Sequence, residues 1–138
     1  MVEATINYLA VLVAAIINMG IGFLWYGPLF GKVWMQLSGF TKKQIAEAKK
    51  KKMGKTYAIA FLSTLLMSYV MAHFVDYAEA NTFALGAVAG FWIWLGFVAT
   101  IMLGTVLWEG KPIKLYLINS LHYLVALILM GGVLAVWV

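Results

Sequence analysis

Seven residues sit where a long apolar sequence has little ordinary use for them: Asn18, Trp25, Tyr26, Ser68, Thr100, Asn119 and His122. Polar and ionisable groups inside a bilayer are costly, so each is by default a candidate for function. His122 falls near the middle of the last apolar stretch, with Asn119 about one turn away. Asn18, Ser68 with Thr64, and Thr100 come to similar depths in the three earlier stretches.

A polar layer at one depth in four helices suits several kinds of chemistry. Such side chains can hydrogen-bond between helices, each bond contributing on the order of 0.6 kcal/mol. They can instead line a site that binds or passes a small solute or ion, with Trp25 and Tyr26 at its mouth. Proton relay through His122 is a third use. His73 and Asp76, three residues apart, share one helical face near the end of the second stretch. An interfacial pair of this kind can tune a pKa, hold a metal weakly or simply cap a helix, and capping is the plainest of these.

Enzymatic signatures are thin. There is no His-Glu-x-x-His zinc pattern, no phosphate loop and no serine in a nucleophile elbow. The two histidines lie at different depths and cannot grip one haem from both faces, so no cofactor, metal or catalytic residue is assigned. Both acids nearest a span, Asp76 and Glu109, fall at ends, which speaks against an exporter driven by a buried carboxylate. A membrane enzyme acting on a lipid-borne substrate, with His122 or Glu109 as the acid-base group, is the weakest reading. The chain contains no cysteine, hence no disulfide and no thiolate site.

The elements that must position these residues follow from composition. Of 138 residues 64% are hydrophobic and 11% charged, less than half the charge of an ordinary soluble domain, which is about 25%. Spanning a bilayer core takes roughly 20 apolar residues, and four stretches qualify, near 4–26, 55–74, 82–108 and 113–137. They fill the chain as one domain. The first lacks a basic leader and an evident cleavage site, so it reads as a retained helix rather than a signal peptide.

Charge sets the expected orientation. The net charge of +5 comes from ten lysines, eight of them between Lys32 and Lys55 and the others Lys111 and Lys114. With four spans, both groups share one side, and Glu3, Asp76 and Glu79 share the other. By the positive-inside rule the lysine-bearing loops are cytoplasmic and both termini outside, with no sign of dual insertion. The position of the lysines accounts for the basic balance without nucleic acid.

Thr41 and Gln44 form a capping box that starts a short cytoplasmic helix between spans one and two, from about Lys42 to Met53. Lys42, Lys43, Lys49, Lys50, Lys51 and Lys52 enforce topology and offer contacts to anionic lipid, at about 1 kcal/mol each when close to the surface. Small or hydroxylated residues recur every fourth position at Ala10, Ala14, Asn18, Gly22 and Tyr26, at Thr56, Ala60, Thr64, Ser68 and Ala72, and in span three at Gly96, Thr100 and Gly104, ending on Trp108, with Gly86 and Gly90 higher up. Such stripes let helices approach closely. The short connections VDYAEAN and EGKP make antiparallel neighbours. The expected fold is therefore all-α, an integral membrane up-down four-helix bundle, and a homo-oligomer is expected. Trp25, Tyr26, Trp34 and Trp108 at one interface, and Tyr8, Tyr77 and Trp137 at the other, fit aromatic belts. Gly27-Pro28 is expected to end the first helix.

The stretch GFLWYGPLFGKVWMQLSGF resembles the membrane-protein family called domain of unknown function 1761. The shared pattern falls on Asn18, Gly22, Trp25, Tyr26, Phe30, Gly31, Trp34 and Gly39, and more weakly on Trp108, Glu109 and Asn119. His122 is not part of it. The resemblance implies a small four-helix protein of a bacterial plasma (inner) membrane and brings no activity. Two functions remain in view: a membrane protein that binds or passes a small solute or ion, and a structural or accessory protein whose polar layer only specifies packing.

Overall fold

A computed structural model describes residues 5–50 and 54–137. Glu3, the expected start of span one at Ala4, and Lys51, Lys52 and Met53 lie outside the described residues, as does the side chain of Lys49. Regular structure among the described residues is all helical. Six helices are seen: α1 (Tyr8–Leu29), α2 (Gly31–Leu37), α3 (Lys42–Lys50), α4 (Gly54–Tyr77), α5 (Phe83–Leu107) and α6 (Ile113–Val136). Four of them, α1, α4, α5 and α6, are long and apolar enough to cross a membrane.

The helix starts follow from local chemistry. The Asn7 side chain accepts from the amides of Leu9 and Ala10 at 3.1 and 3.2 Å, and Thr82 accepts from Leu85 at 3.1 Å. Each satisfies amides that a first turn leaves without partners. At α3 the Thr41 hydroxyl accepts from the Gln44 amide at 3.1 Å, while the Gln44 side chain accepts from the Thr41 amide at 2.9 Å. Pro112 precedes α6, where a missing N–H leaves nothing unsatisfied.

Contrary to expectation, Gly27-Pro28 does not stop α1. The backbone carries through a π-helical turn, Trp25–Leu29, closed by the Phe30 amide donating to the Trp25 carbonyl at 2.9 Å. Proline has no N–H and crowds the carbonyl four residues back, and a turn widened by one residue moves that carbonyl aside. The break comes instead at Phe30, after which α2 begins.

The last helix is the hub. Half of its apolar window is buried, against 17% for α5, and α1, α4 and α5 all pack on it. Met130, Ala126 and Ala135 of α6 meet Ala10 and Ala14 of α1 and Met71 of α4 in the core. On the other side α5 seats on α6 with almost no side chain between the backbones. A methyl group on Gly86 would collide with the Gly131 carbonyl, one on Gly90 with the Leu127 carbonyl, and one on Gly132 with the Phe83 ring.

Of the small-residue stripes, Ala10, Ala14 and Asn18 are buried, as are Thr64, Ser68 and Ala72. On α5 the inward small residues are Gly86 and Gly90, whereas Gly96 and Thr100 are exposed. Two residues of offset rotate a helical position by about 200°, so the set at 96, 100 and 104 lies opposite the face that continues from 86 and 90. A second π-helical turn, Trp94–Ala99, interrupts α5 between them.

Candidate functional site

The polar groups converge on His122, which is 5% exposed. Its ring lies among three aromatic side chains, Tyr123 beside it on α6 at 4.8 Å between centroids, and Tyr26 and Trp25 of α1 at 5.2 and 6.2 Å. Gly22 of α1 faces the ring, and a methyl group there would sit in ordinary contact with Nε2 at 3.6 Å. Trp25 and Tyr26 are the first two residues of the π-helical turn.

Two indoles, from α1 and α5, fix α6 in the turn before the histidine. Trp25 Nε1 donates to the Ile118 carbonyl at 2.8 Å, and Trp94 Nε1 donates to the Ser120 carbonyl at 2.7 Å. Both tryptophans open π-helical turns, on α1 and α5 respectively. The Tyr26 hydroxyl donates to Asn119 Oδ1 at 2.8 Å, and Trp34 of α2 stands edge-on to the Tyr26 ring at 5.6 Å. Between α1 and α4, Asn18 Nδ2 donates to Thr64 Oγ1 at 3.2 Å and Ser68 Oγ to the Val11 carbonyl at 2.8 Å.

Three buried side-chain atoms among the described residues have no hydrogen-bond partner: Asn18 Oδ1 and both ring nitrogens of His122. They belong to two side chains that line the same cavity of about 440 Å³, together with Met19, Gly22, Phe23, Tyr26, Gly27, Tyr57 and Ala60. None of these lining residues is charged. The three atoms themselves have almost no accessible surface and lie just under the wall. At the rim, Phe23 and Tyr57 meet edge-on at 5.7 Å, and about half of each is exposed on the outside of the helices. A second cavity of about 400 Å³ lies across Tyr26, lined by Tyr26, Trp34, Met102, Asn119 and Tyr123.

The structure thus gathers Asn18, Trp25, Tyr26, Asn119 and His122. Ser68 is near but fully used in packing α4 on α1. Thr100 is elsewhere: it is exposed and donates to the Gly96 carbonyl of its own helix at 2.7 Å. His73 and Asp76 have separate partners. The His73 ring stacks edge-on with Tyr69 and sits 2.9 Å from the Tyr69 carbonyl, while Asp76 accepts from the Thr5 amide at 3.2 Å. Among the described residues no group of three or more acidic or histidine side chains gathers to hold a metal ion. Phe23, Tyr57 and Tyr123 are contributors that sequence reasoning did not single out for the site. Tyr57 and Phe23 look like ordinary interfacial aromatics, and only their juxtaposition across two helices gives them a place.

Chemically, a neutral imidazole offers one donor and one acceptor, and the Asn18 amide adds one more free atom. That set can hold a small polar group in an otherwise apolar and aromatic pocket. It has no carboxylate to orient the histidine as a general base.

A family model for proteins of unknown function, DUF1761, matches residues 9–135. The chain belongs to this DUF1761 family. The match runs through all four long helices and so through every residue of the cavity. No curated protein and no solved structure matches the chain.

Proposed function

We propose that this DUF1761 protein is a multi-pass membrane protein whose cavity between α1, α4 and α6 binds a small molecule. The observation that carries the reading is His122, buried at mid-helix with two unpartnered ring nitrogens beside a cavity of about 440 Å³. Buried polar atoms without partners are few in native structures and call for an explanation. Pockets of roughly 300–1,000 Å³ lined by apolar walls and a few polar groups are the usual form of small-molecule sites. The lysine placement supports an orientation with α3 and the α5–α6 turn on the cytoplasmic side of a plasma membrane and both termini outside. There α3 would lie over anionic headgroups.

Gly22→Leu tests this reading. Its first side-chain carbon is tolerated at 3.6 Å from His122 Nε2, and the rest fills the cavity. Native mass spectrometry of protein released from nanodiscs made with its own membrane lipids should show a small adduct on the wild type that Gly22→Leu lacks. Identical spectra from the two folded proteins would sink the proposal.

A second reading is that the layer serves packing alone. It is favoured by the indole, phenol, amide and hydroxyl bonds from Trp25, Trp94, Tyr26, Asn18 and Ser68 to neighbouring helices. It expects Asn18→Leu and Asn119→Leu to lower stability with no ligand-dependent component.

A further inference from the structure

Resting on the binding site proposed above, we infer that its ligand is a membrane-dissolved amphiphile with an uncharged hydroxyl head. The head sits against His122 and Asn18, and the chain leaves between Phe23 and Tyr57 into lipid.

Charge is the first constraint. The residues lining the cavity carry no formal charge, and the lysine closest in sequence to a lining residue, Lys55, is exposed and takes no part in the wall. An ionised head brought to this depth would be stripped of water with no counter-charge, which costs several kcal/mol. A neutral head avoids that cost.

Hydrogen-bond capacity is the second. In the observed arrangement Asn18 gives its NH2 to Thr64 and keeps its oxygen free. Turned over, the amide would accept from the Thr64 hydroxyl and leave its NH2 free. The neutral His122 ring, in either tautomer, holds one donor and one acceptor. The free set therefore contains both a donor and an acceptor in every combination. A hydroxyl donates one bond and accepts two, so it pairs with each of these arrangements. An ester, ketone or ether only accepts and leaves the free acceptors without a partner. A hydrocarbon leaves all of them so.

Access is the third. The free atoms lie just beneath the wall, but the terminal torsions of histidine and asparagine are broad. Turning either ring or amide toward the cavity requires no backbone movement, and Gly22 leaves room on the α1 side. The rim opens on the outside of α1 and α4, near the end of α1 and the start of α4, where Phe23 is 57% and Tyr57 48% exposed. A ligand already dissolved in the bilayer enters sideways without crossing water.

Photolabelling of the full chain in nanodiscs tests this with three probes of equal length, each a twelve-carbon chain with a diazirine a few carbons from its head end: a primary alcohol, the matching alkane and the matching carboxylic acid. The alcohol should label Met19, Phe23 or Tyr57 saturably, at about tenfold lower membrane concentration than the alkane, as expected for one to two net hydrogen bonds. Unlabelled dodecanol should compete, and the acid at neutral pH should do no better than the alkane. His122→Phe should remove most of the tenfold preference, whereas His122→Gln, which keeps a donor and an acceptor, should retain it and also controls for folding. Saturable cavity labelling by all three probes alike, or tighter labelling by the acid, would overturn the hydroxyl assignment while leaving the binding site standing. A preference undiminished in His122→Phe would overturn it too. Cavity labelling by none of the probes, or only in linear proportion to concentration, would overturn the site itself.

Discussion

Replacing Gly131 with alanine should loosen α5 from α6 by about 1–3 kcal/mol, the range for inserting a methyl group into a well-packed seam. The added carbon would overlap the Gly86 carbonyl oxygen and come to 3.0 Å from its carbon. A backbone carbonyl cannot rotate away as a side chain can. Restoring ordinary contact means sliding the helices apart by on the order of 1 Å, and a gap of that size forfeits a quarter to a half of each dispersion contact along the seam. Gly90 against Leu127 and Phe83 against Gly132 share the loss. In lipid no hydrophobic force compensates, since tails are as apolar as the helix faces. Gly20→Ala is the matched control: nothing lies within 4 Å of its added carbon, so it should gain roughly 0.5–1 kcal/mol from helix propensity. Reversible SDS unfolding in mixed micelles, followed by tryptophan fluorescence and far-ultraviolet circular dichroism, measures both. If Gly131→Ala fell within 0.5 kcal/mol of Gly20→Ala, the backbone seam would not be what holds α5.

Three further outcomes are expected. A double-mutant cycle of Tyr26→Phe with Asn119→Leu should give a coupling of about 0.6 kcal/mol, and up to about 1.7, by the same unfolding assay; zero coupling would remove their hydrogen bond from the account of the site. Trp94→Phe should cost about 0.5–1.5 kcal/mol through the bond lost to Ser120, and an unchanged midpoint would contradict the clamp on α6. Because the chain contains no cysteine, single cysteines report sidedness directly: in intact cells Ala78→Cys should react with an impermeant maleimide and Lys43→Cys only after lysis. The opposite pattern would invert the proposed orientation.

Much of the fold is legible in the sequence because length, apolar content and lysine placement are one-dimensional properties. The four long apolar helices come within a few residues of the expected stretches, and the capping pair at Thr41 and Gln44 is local chemistry. The departures are tertiary or depend on helix phase. An ideal helix hides a π turn, so Trp25–Leu29 is missed, although Pro28 marks the place where one relieves a clash. Thr100 matches the depth of the polar layer but not its direction, and depth alone cannot say on which side of a helix a residue falls. Asn18 and His122 stand out as polar residues in apolar stretches, yet their common cavity is also lined by Tyr57 and Phe23, which nothing in the sequence marks out.

The same comparison explains why the first helix leaves its apolar run through so many specific residues. An exit needs only a leucine-rich end, an interfacial aromatic and a lysine. Here the segment turns back on the protein instead. Trp25 reaches the Ile118 carbonyl, Tyr26 reaches Asn119, Phe30 lies against Trp25 at 4.8 Å, and Trp34 lies against Tyr26. Gly31 is required because a methyl group would press to 2.6 Å from the Tyr26 carbonyl, so α2 can begin this close beneath the π turn only without a side chain there. Each of these contacts holds Trp25 or Tyr26, and those two rings flank His122. The constraint thus runs inward from the helix end: residues that look like a membrane boundary set the aromatic wall around the one buried imidazole. If the cavity binds its ligand through that imidazole, changes at Phe30 or Trp34, which do not line the α1–α4 cavity, should weaken binding by misplacing Trp25 and Tyr26. The alcohol probe measures that effect on Trp34→Leu, and unchanged labelling there would confine the second ring of aromatics to packing.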